Sequence, residues 1–423
     1  MRAVVVALGK IGLPLAAKIA MAGHQVVGCD ADPRVVELVN AGREPFPGET
    51  GLADALRELA VAERLRATTE TSAAVSAGAD LVVAVPPLIV DPDANPDFTI
   101  LDSVVSDIGR GLTPGTVVSI ETTIPVGTTR ARVSPRLAEL SGLRAEEDFF
   151  CVHSPERVYS GRIFADLETY PKLIGGLSEA GERRAAELYA SFLGAEVRCL
   201  GSAEAAELTK LAETTYRDVN IALVNEFARY ADRHGIDIGL VIEAANSQPF
   251  SHLHQPGVAV GGHCIPVYPR FYLSGDPGAR LPAAARAVNE AMPAYAVDVL
   301  GDALEHGLAG ARVLILGVSY RGAVKETAFS GAFALAAELG ARGAVAVATD
   351  PLYDDEELRA LGFVPWGGEP VTGAVLQADH HRFTELAPED LPGVRALVDG
   401  RGVLDPERWH AAGVVFRRIG RGW

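Results

Sequence analysis

The stretch Ala3-Val4-Val5-Val6-Ala7-Leu8-Gly9-Lys10-Ile11-Gly12, running into Leu13-Pro14-Leu15-Ala16-Ala17, decides how the chain folds. Residues 3–8 are a continuous apolar, β-branched run, the mark of a strand buried on both faces, and residues 13–22 carry a helical pattern. Gly9 and Gly12 make the turn between them tight. A second apolar run, Gln25-Val26-Val27-Gly28-Cys29, ends in Asp30, about twenty residues after the turn. Strand, glycine turn, helix, strand and acid at these distances form a dinucleotide fingerprint. The glycines let the main chain approach a pyrophosphate, and the acid accepts hydrogen bonds from ribose hydroxyls. Ala7 stands where the first glycine of G-x-G-x-x-G belongs, which predicts a slightly less compact turn. Asp30 favours NAD over NADP, because a 2′-phosphate would meet its negative charge.

Strands and helices go on alternating. The runs Asp80-Leu81-Val82-Val83-Ala84-Val85-Pro86-Pro87, Thr116-Val117-Val118-Ser119-Ile120-Glu121-Thr122-Thr123 and Phe149-Phe150-Cys151-Val152-His153-Ser154-Pro155-Glu156 each end in small polar, proline or acidic residues. In a parallel doubly wound sheet those ends line the ligand crevice, so Thr123 and Glu156 are site candidates by position. The plainer alternative makes them a helix cap and a surface acid.

From Ala203 to His234 the apolar positions Ala205, Leu208, Leu211, Ala212, Val219, Leu223 and Phe227 follow a helical period, with no glycine or proline to interrupt it. Such a helix is about 45 Å long at 1.5 Å per residue and suits a spine between domains or a dimer contact. Lys210 sits on it among apolar neighbours, either snorkelling or held in a pocket. Residues 311–319 open a second α/β unit, with a helix near 330–342 and a strand ending at Asp350 and Pro351; the regions around 379, 394–399 and 414–419 supply further strands.

Between these halves lies Val260-Gly261-Gly262-His263-Cys264-Ile265-Pro266, which presents one thiol in a glycine-flanked turn. Cys264 is either a small buried hydrophobe or a nucleophile, and local sequence leaves both open. The chain has 423 residues, more than one core usually serves, and with 48% hydrophobic residues it can bury substantial cores. Its net charge of −17 opposes nucleic-acid binding. Cys29, Cys151, Cys199 and Cys264 lie far apart in no zinc or disulfide spacing, which points to a reducing compartment. With no signal-peptide pattern and no apolar run of membrane-spanning length, a cytoplasmic protein without a membrane partner is expected.

Five motifs together resemble the nucleotide-sugar 6-dehydrogenase family, which includes UDP-glucose, GDP-mannose and UDP-N-acetylhexosamine dehydrogenases. They are residues 8–16, Glu121-Thr122-Thr123-Ile124-Pro125-Val126-Gly127-Thr128-Thr129, Ser154-Pro155-Glu156-Arg157-Val158, Glu207-Leu208-Thr209-Lys210-Leu211 and Gly261-Gly262-His263-Cys264-Ile265-Pro266. Arg217-Asp218-Val219-Asn220 and the segment after His263 look most like the N-acetylhexosamine branch. The resemblance implies an α/β chain of two Rossmann-like doubly wound domains joined by a long central helix: an NAD-binding domain over 1–200, a helical dimerisation region over 201–300 and a nucleotide-sugar-binding domain over 301–423, with the active site between the outer domains. It implies a homodimer with NAD as cofactor and a nucleotide sugar, oxidised twice at C6, as substrate. Cys264 would hold the aldehyde as a thiohemiacetal and then a thioester, Lys210 would stabilise the oxyanion, and Thr123 and Glu156 would manage the water. Gly9, Ile11, Gly12, Asp30, Arg34, Pro86 and Thr123 form the implied cofactor set; Glu156, Arg157, Lys210, Asn220, Gly261, Tyr320 and Arg321 form the implied substrate set.

Several positions depart from the family. Tyr268 stands for an acid four residues after the cysteine, Thr214 for an asparagine, Phe250 and Ala328 for arginines, and Pro87 for a threonine. Loss of the acid bears on thioester hydrolysis, so the reaction either runs to the acid, stops at the aldehyde or becomes redox-neutral, or the site binds without turnover. A reading of His252, His254, His263 and Cys264 as metal ligands has suitable ligand types but no known ligand spacing, and no metal is expected.

Overall fold

The computed structural model describes residues 1–159 and 161–421, arranged as two compact units. Unit 1 comprises Met1–Glu213 and Arg270–Asp276; unit 2 comprises Thr214–Pro269 and Pro277–Trp423, the last two residues lying outside those described.

Unit 1 is built on β1 (Arg2–Val6), β2 (Gln25–Cys29), β3 (Leu65–Thr68), β4 (Leu81–Ala84), β7 (Val117–Ile120), β8 (Phe150–His153), β9 (Lys172–Gly176) and β10 (Val197–Cys199), with β5 (Ile89–Val90) and β6 (Pro96–Asp97) as a separate two-stranded ribbon. The sheet order is β10-β9-β8-β7-β4-β1-β2-β3. All neighbours are parallel except β8 and β9, which reverses the direction of the last two strands. The chain winds outward from β1 to β3 and then crosses back to β4, so the switch point falls between β1 and β4. There a doubly wound sheet opens its ligand crevice. Val6 pairs with both Cys29 and Ala84, and Ala84 with Ile120, which in turn pairs with His153. The residues after these strands, from Ala7 to Glu156, therefore emerge along one edge. The strands can be almost wholly apolar because helices cover both faces; Val5, Leu81, Val83 and Val117 pack with Leu13, Ile19, Tyr189 and Phe192.

Unit 2 carries a parallel sheet of β11 (Arg312–Leu316), β12 (Val345–Thr349), β13 (Gly373–Leu376), β14 (Ala396–Asp399) and β15 (Val415–Arg418), in the order β12-β11-β13-β14-β15. This is the other doubly wound order, with its switch point between β11 and β13. Alternate residues of β11 serve opposite cores: Val313 and Ile315 pack with Leu335 and Leu339, whereas Leu314 and Leu316 pack with Phe383 and Trp409. The helix near 330–342 runs from Gly331 to Ala341, capped by the Ser330 hydroxyl on Ala332 N–H.

The expected spine is a helix of 32 residues, Ala203–His234, about 48 Å long at 1.5 Å per residue. Ser202 accepts from Ala205 N–H at its start. Its first turns, through Glu213, belong to unit 1 and the rest to unit 2. No helix among the described residues is long and apolar enough to cross a membrane.

The glycine turn shows where sequence freedom ends. A Cβ on Gly12 would lie 2.0 Å from the Ala7 carbonyl oxygen, too close for any real pair. We expect Gly12→Ala to lose about 1–3 kcal/mol through overpacking, read as a lower thermal midpoint.

Candidate functional site

The dinucleotide turn starts from Ala7, held at φ 74°, the left-handed region a glycine would enter freely. The alanine thus does not loosen the turn; it adopts the glycine's conformation, at about 1–2 kcal/mol of strain. Ala7 N–H donates to Cys29 O at 2.8 Å, and Leu8 N–H donates to Asp30 Oδ2 at 2.8 Å. Asp30 Oδ1 accepts from Asp32 N–H at 2.9 Å. Nothing lies within 4 Å of a Cβ placed on Gly9, so the backbone there is open to a ligand. The helix Gly12–Met21 begins at Ile11 with no side-chain cap; Leu13 N–H donates to Gly9 O at 3.2 Å and Pro14 has no N–H, so the turn and the helix start are closed by their own backbone. These features fit a dinucleotide. Arg34 is largely exposed and is held by Asp32, whose carboxylate accepts from Arg34 Nη2 at 2.8 Å and from its backbone N–H at 2.9 Å. On the neighbouring strand end Pro86 is buried, and its carbonyl accepts from the Thr122 hydroxyl at 2.6 Å; Thr123 beside it is buried as well, and Pro87 is exposed.

Glu207 explains why two distant motifs occur together. Fully buried on the long helix, its carboxylate accepts from Gly127 N–H at 2.5 Å, Thr129 N–H at 2.9 Å and Thr129 Oγ1 at 2.7 Å. It thereby fixes the loop after Thr123 to the helix that carries Lys210 three residues further on. Burial pushes its pKa up, against these bonds.

Glu156 belongs to a buried network that the sequence did not reveal. Lys172, opening β9, reaches Glu121 Oε2 at 2.8 Å and Glu156 Oε2 at 3.1 Å. Glu156 Oε1 accepts from the amides of Arg157 at 2.6 Å and Val158 at 3.0 Å. The Tyr189 hydroxyl bonds Glu121 Oε1. Burial pushes Glu121 up to about 7 despite Lys172. Burial also works against the Glu156 charge, yet Lys172, the Arg157 amide and the nearby Lys210 ammonium hold its pKa below the ordinary range. The Arg157 guanidinium pairs with Glu213 at 2.6 Å. A lone lysine at the head of the apolar strand Lys-Leu-Ile-Gly-Gly, and an acid directly after β7, were the available signals.

Unit 2 carries the remaining candidates. Cys264 is exposed, and its carbonyl accepts from Tyr268 N–H at 2.9 Å at the start of the helix Tyr268–Gly275. Gly262 has φ 90° and donates to Ala328 O at 2.8 Å. A Cβ on Gly261 would come within 2.6 Å of Tyr320 Cβ and 2.9 Å of Phe329 O, so only glycine fits beneath Tyr320. Arg321 is exposed, its Nε 3.3 Å from the Tyr320 hydroxyl. Asn220 does not offer a free amide: Nδ2 donates to His252 O at 2.8 Å and lies 3.3 Å from Tyr216 Oη, while Oδ1 accepts from His254 N–H at 3.0 Å. Thr214 is buried and Phe250 is 93% exposed. Sequence reasoning also missed Arg401, whose guanidinium bonds Gln377 O at 2.5 Å and Tyr320 O at 2.9 Å at the carboxyl edge of the second sheet. Among the described residues no group of three His, Cys, Asp or Glu is placed to hold a metal ion, and His263 faces Glu326 at 3.4 Å.

A dinucleotide-type turn closed by an acid at β2, and a thiol displayed on a glycine turn, define the class of an NAD-dependent dehydrogenase. The chain belongs to the UDP-glucose/GDP-mannose dehydrogenase family: residues 1–193 match its NAD binding domain and residues 204–291 its central domain. It is 35% identical over 431 aligned residues to the UDP-N-acetyl-D-mannosamine dehydrogenase of Pyrococcus horikoshii, covering 100% of both chains. The NDP-N-acetyl-D-galactosaminuronic acid dehydrogenase of Ralstonia solanacearum is 32% identical, with 96% of each chain covered. The solved structure of the Pyrococcus horikoshii UDP-D-ManNAc dehydrogenase superimposes with a TM-score of 0.89 at 32% identity, over 100% of this chain and 99% of that one. The protein is accordingly an NAD-dependent nucleotide-sugar dehydrogenase of this family.

Glu207 carries no chemistry of its own in this arrangement, so its replacement reads out its bonds. Glu207→Gln presents an amide NH2 to donors that need an acceptor and is expected to cost about 1–3 kcal/mol, measured as a lower unfolding midpoint.

Proposed function

We propose that the chain oxidises the C6 hydroxyl of a UDP-N-acetylhexosamine, with UDP-N-acetyl-D-mannosamine as first candidate, to the uronic acid through covalent intermediates on Cys264. The observation that carries this reading is the exposed Cys264 thiol in a turn that only Gly261 and Gly262 permit, in a chain similar over its full length to sugar dehydrogenases. NAD, when bound, accepts the two hydrides. Gly9, Ile11 and Gly12 would face its pyrophosphate and Asp30 its ribose, with Arg34, Pro86 and Thr123 at the margin. Cys264 attacks the aldehyde carbon to give a thiohemiacetal, and the thioester formed after the second oxidation is cleaved by water. The Lys210 ammonium stabilises the oxygen that becomes anionic. Glu156 accepts the water's proton and Thr123 holds the water. Arg157, Tyr320 and Arg321 serve the substrate, with Arg321 facing the diphosphate and Gly261 the backbone approach, and residues 301–423 hold the nucleotide. Asn220 supports this work by shaping the loop at His252 and His254.

A second reading follows from Tyr268. It starts the helix one turn after the thiol, where a carboxylate would help activate water, and a phenol does this poorly at neutral pH. On that reading the reaction stops at the aldehyde with one NADH. Counting NADH per sugar over a panel of UDP-, GDP- and dTDP-hexoses, with products weighed by mass, separates the two: acid with two NADH supports the first, aldehyde with one the second. Cys264→Ser is expected to abolish acid formation and leave NAD binding intact; full oxidation by that variant removes the covalent route.

The homodimer is part of the same proposal. Tyr216, Leu223, Phe227 and Tyr230 are 40–58% exposed and recur at alternating intervals of seven, four and three residues along the long helix, the seam spacing of helices that pack on one another. We expect Phe227→Asp to shift the protein from dimer to monomer by sedimentation velocity; a wild-type monomer would remove the dimer. A reducing cytoplasm suits the four free cysteines, and the net charge of −17 argues against a nucleic-acid partner.

A further inference from the structure

Among the described residues, Glu156 has one acceptor position to spare. A carboxylate offers about four lone-pair sites. Two amides occupy Oε1, and Lys172 Nζ takes one side of Oε2, leaving the other side of that oxygen for a water. The same ammonium lies 2.8 Å from Glu121 Oε2, with the Lys172 side chain 5% exposed and that of Glu121 fully buried. Such an ammonium cannot lose its only partner without heavy cost, because an unpaired buried charge is strongly unfavourable.

We propose that Lys172 is a positioning residue for the hydrolytic step: it aims Glu156 Oε2 at the attacking water and divides its charge between two carboxylates, so that Glu156 can take a proton while Glu121 keeps the ammonium paired. The inference rests on the reading of Glu156 as the base of that step. In it the water oxygen bonds to the thioester carbon, one water proton passes to Glu156 Oε2, and the C–S bond breaks with its electron pair returning to the Cys264 sulfur. The other water proton leaves as the product acid ionises. This arrangement supplies the general-base work that Tyr268 cannot.

The groups around the pair agree with this role. Burial pushes Glu121 up to about 7 and Lys172 pulls it down, and the Tyr189 hydroxyl bonds it from the helix Glu179–Ala190. His153 on β8 is pushed down to about 3 by burial and Lys172, so it stays neutral. From the long helix Lys210 favours the Glu156 carboxylate. Among the described residues, Arg157 pairs with Glu213 and Asp166 with Arg162.

The test is the pH profile of single-turnover acid formation on UDP-N-acetyl-D-mannosamine, or on whichever sugar of the panel yields acid. The base acts ionised, so activity falls on the acid side through the Glu156 pKa. Lys172→Met removes the stabilising cation and is expected to move that limb up by about one pH unit or more, with a lower plateau at neutral pH because Glu156 is no longer aimed, and unchanged NAD affinity. Glu121, raised to about 7, is already neutral on that limb, so Glu121→Gln is expected to leave the limb in place. Lys172→Arg is expected to restore the wild-type limb, which a merely structural defect in Lys172→Met would not predict. A Lys172→Met limb that stays within ~0.3 pH unit of the wild type overturns the role of Lys172. If Lys172→Met does not fold, Lys172→Gln decides in its place by the same limb, and an unshifted limb there overturns it. Glu156→Gln is run beside them. Loss of acid formation there with unshifted limbs removes Lys172 alone, whereas undiminished acid formation removes Glu156 as the base and this proposal with it.

Discussion

A carboxylate at the end of the second strand, accepting amide N–H groups from the loop after the first, sets the geometry of both units. Asp30 takes Leu8 N–H in unit 1; Asp350 takes Val318 and Ser319 N–H at 2.8 and 2.9 Å in unit 2. The loop after a central parallel strand has no partner strand for its amides, and leaving them unpaired would be costly. What differs is the carboxylate's free side. Asp30 is half-buried, whereas Asp350 is 5% exposed and receives His380 Nε2 at 3.1 Å. The imidazole takes a side of the Asp350 carboxylate, so the second sheet repeats the Asp30 arrangement with its carboxylate enclosed.

Much of this frame was legible from residues alone. The helix Ala203–His234 could be read to its ends because an uninterrupted apolar period over that length admits no other structure. The strand runs were equally plain, since strands buried on both faces must be apolar throughout. Buried polar pairs resisted reading for the opposite reason. Lys172 and Glu121 are 51 residues apart and carry no local pattern; only the adjacency of β7, β8 and β9 brings them together. Asn220 shows the converse limit: its residue type suggests recognition, but its amide is spent on the backbone of the loop it anchors. Ala7 shows that a glycine position can be filled when the surrounding bonds overdetermine the turn.

Unit 2 has its own buried ion pair, and it shows how the long helix is held in register. Arg286 donates to Asp218 Oδ2 at 2.7 Å, Asn289 Nδ2 donates to Asp218 Oδ1 at 2.7 Å and Asn225 Nδ2 to Asn289 Oδ1 at 2.9 Å, while Asn225 Oδ1 accepts from Gly257 N–H at 3.0 Å. Breaking such a pair on one side typically costs about 3–5 kcal/mol. Apolar packing alone would tolerate a slide of the helix along its axis; directional bonds two turns apart do not. The chain from Asp218 to Gly257 thus fixes the loop that precedes Cys264 to the helix.

The way the long helix is divided makes the protein hard to take apart. Its first turns contribute Glu207 and Lys210 to unit 1, and the short segment Arg270–Asp276 returns to that unit from far along the chain. No single cut therefore yields a self-contained N-terminal half: a fragment ending near residue 200 loses the carboxylate that ties down the loop at Gly127 and Thr129, and one ending after the helix still lacks the returning segment. Gene fusion or domain exchange at this junction would have to carry the whole of residues 203–276 as one inseparable piece.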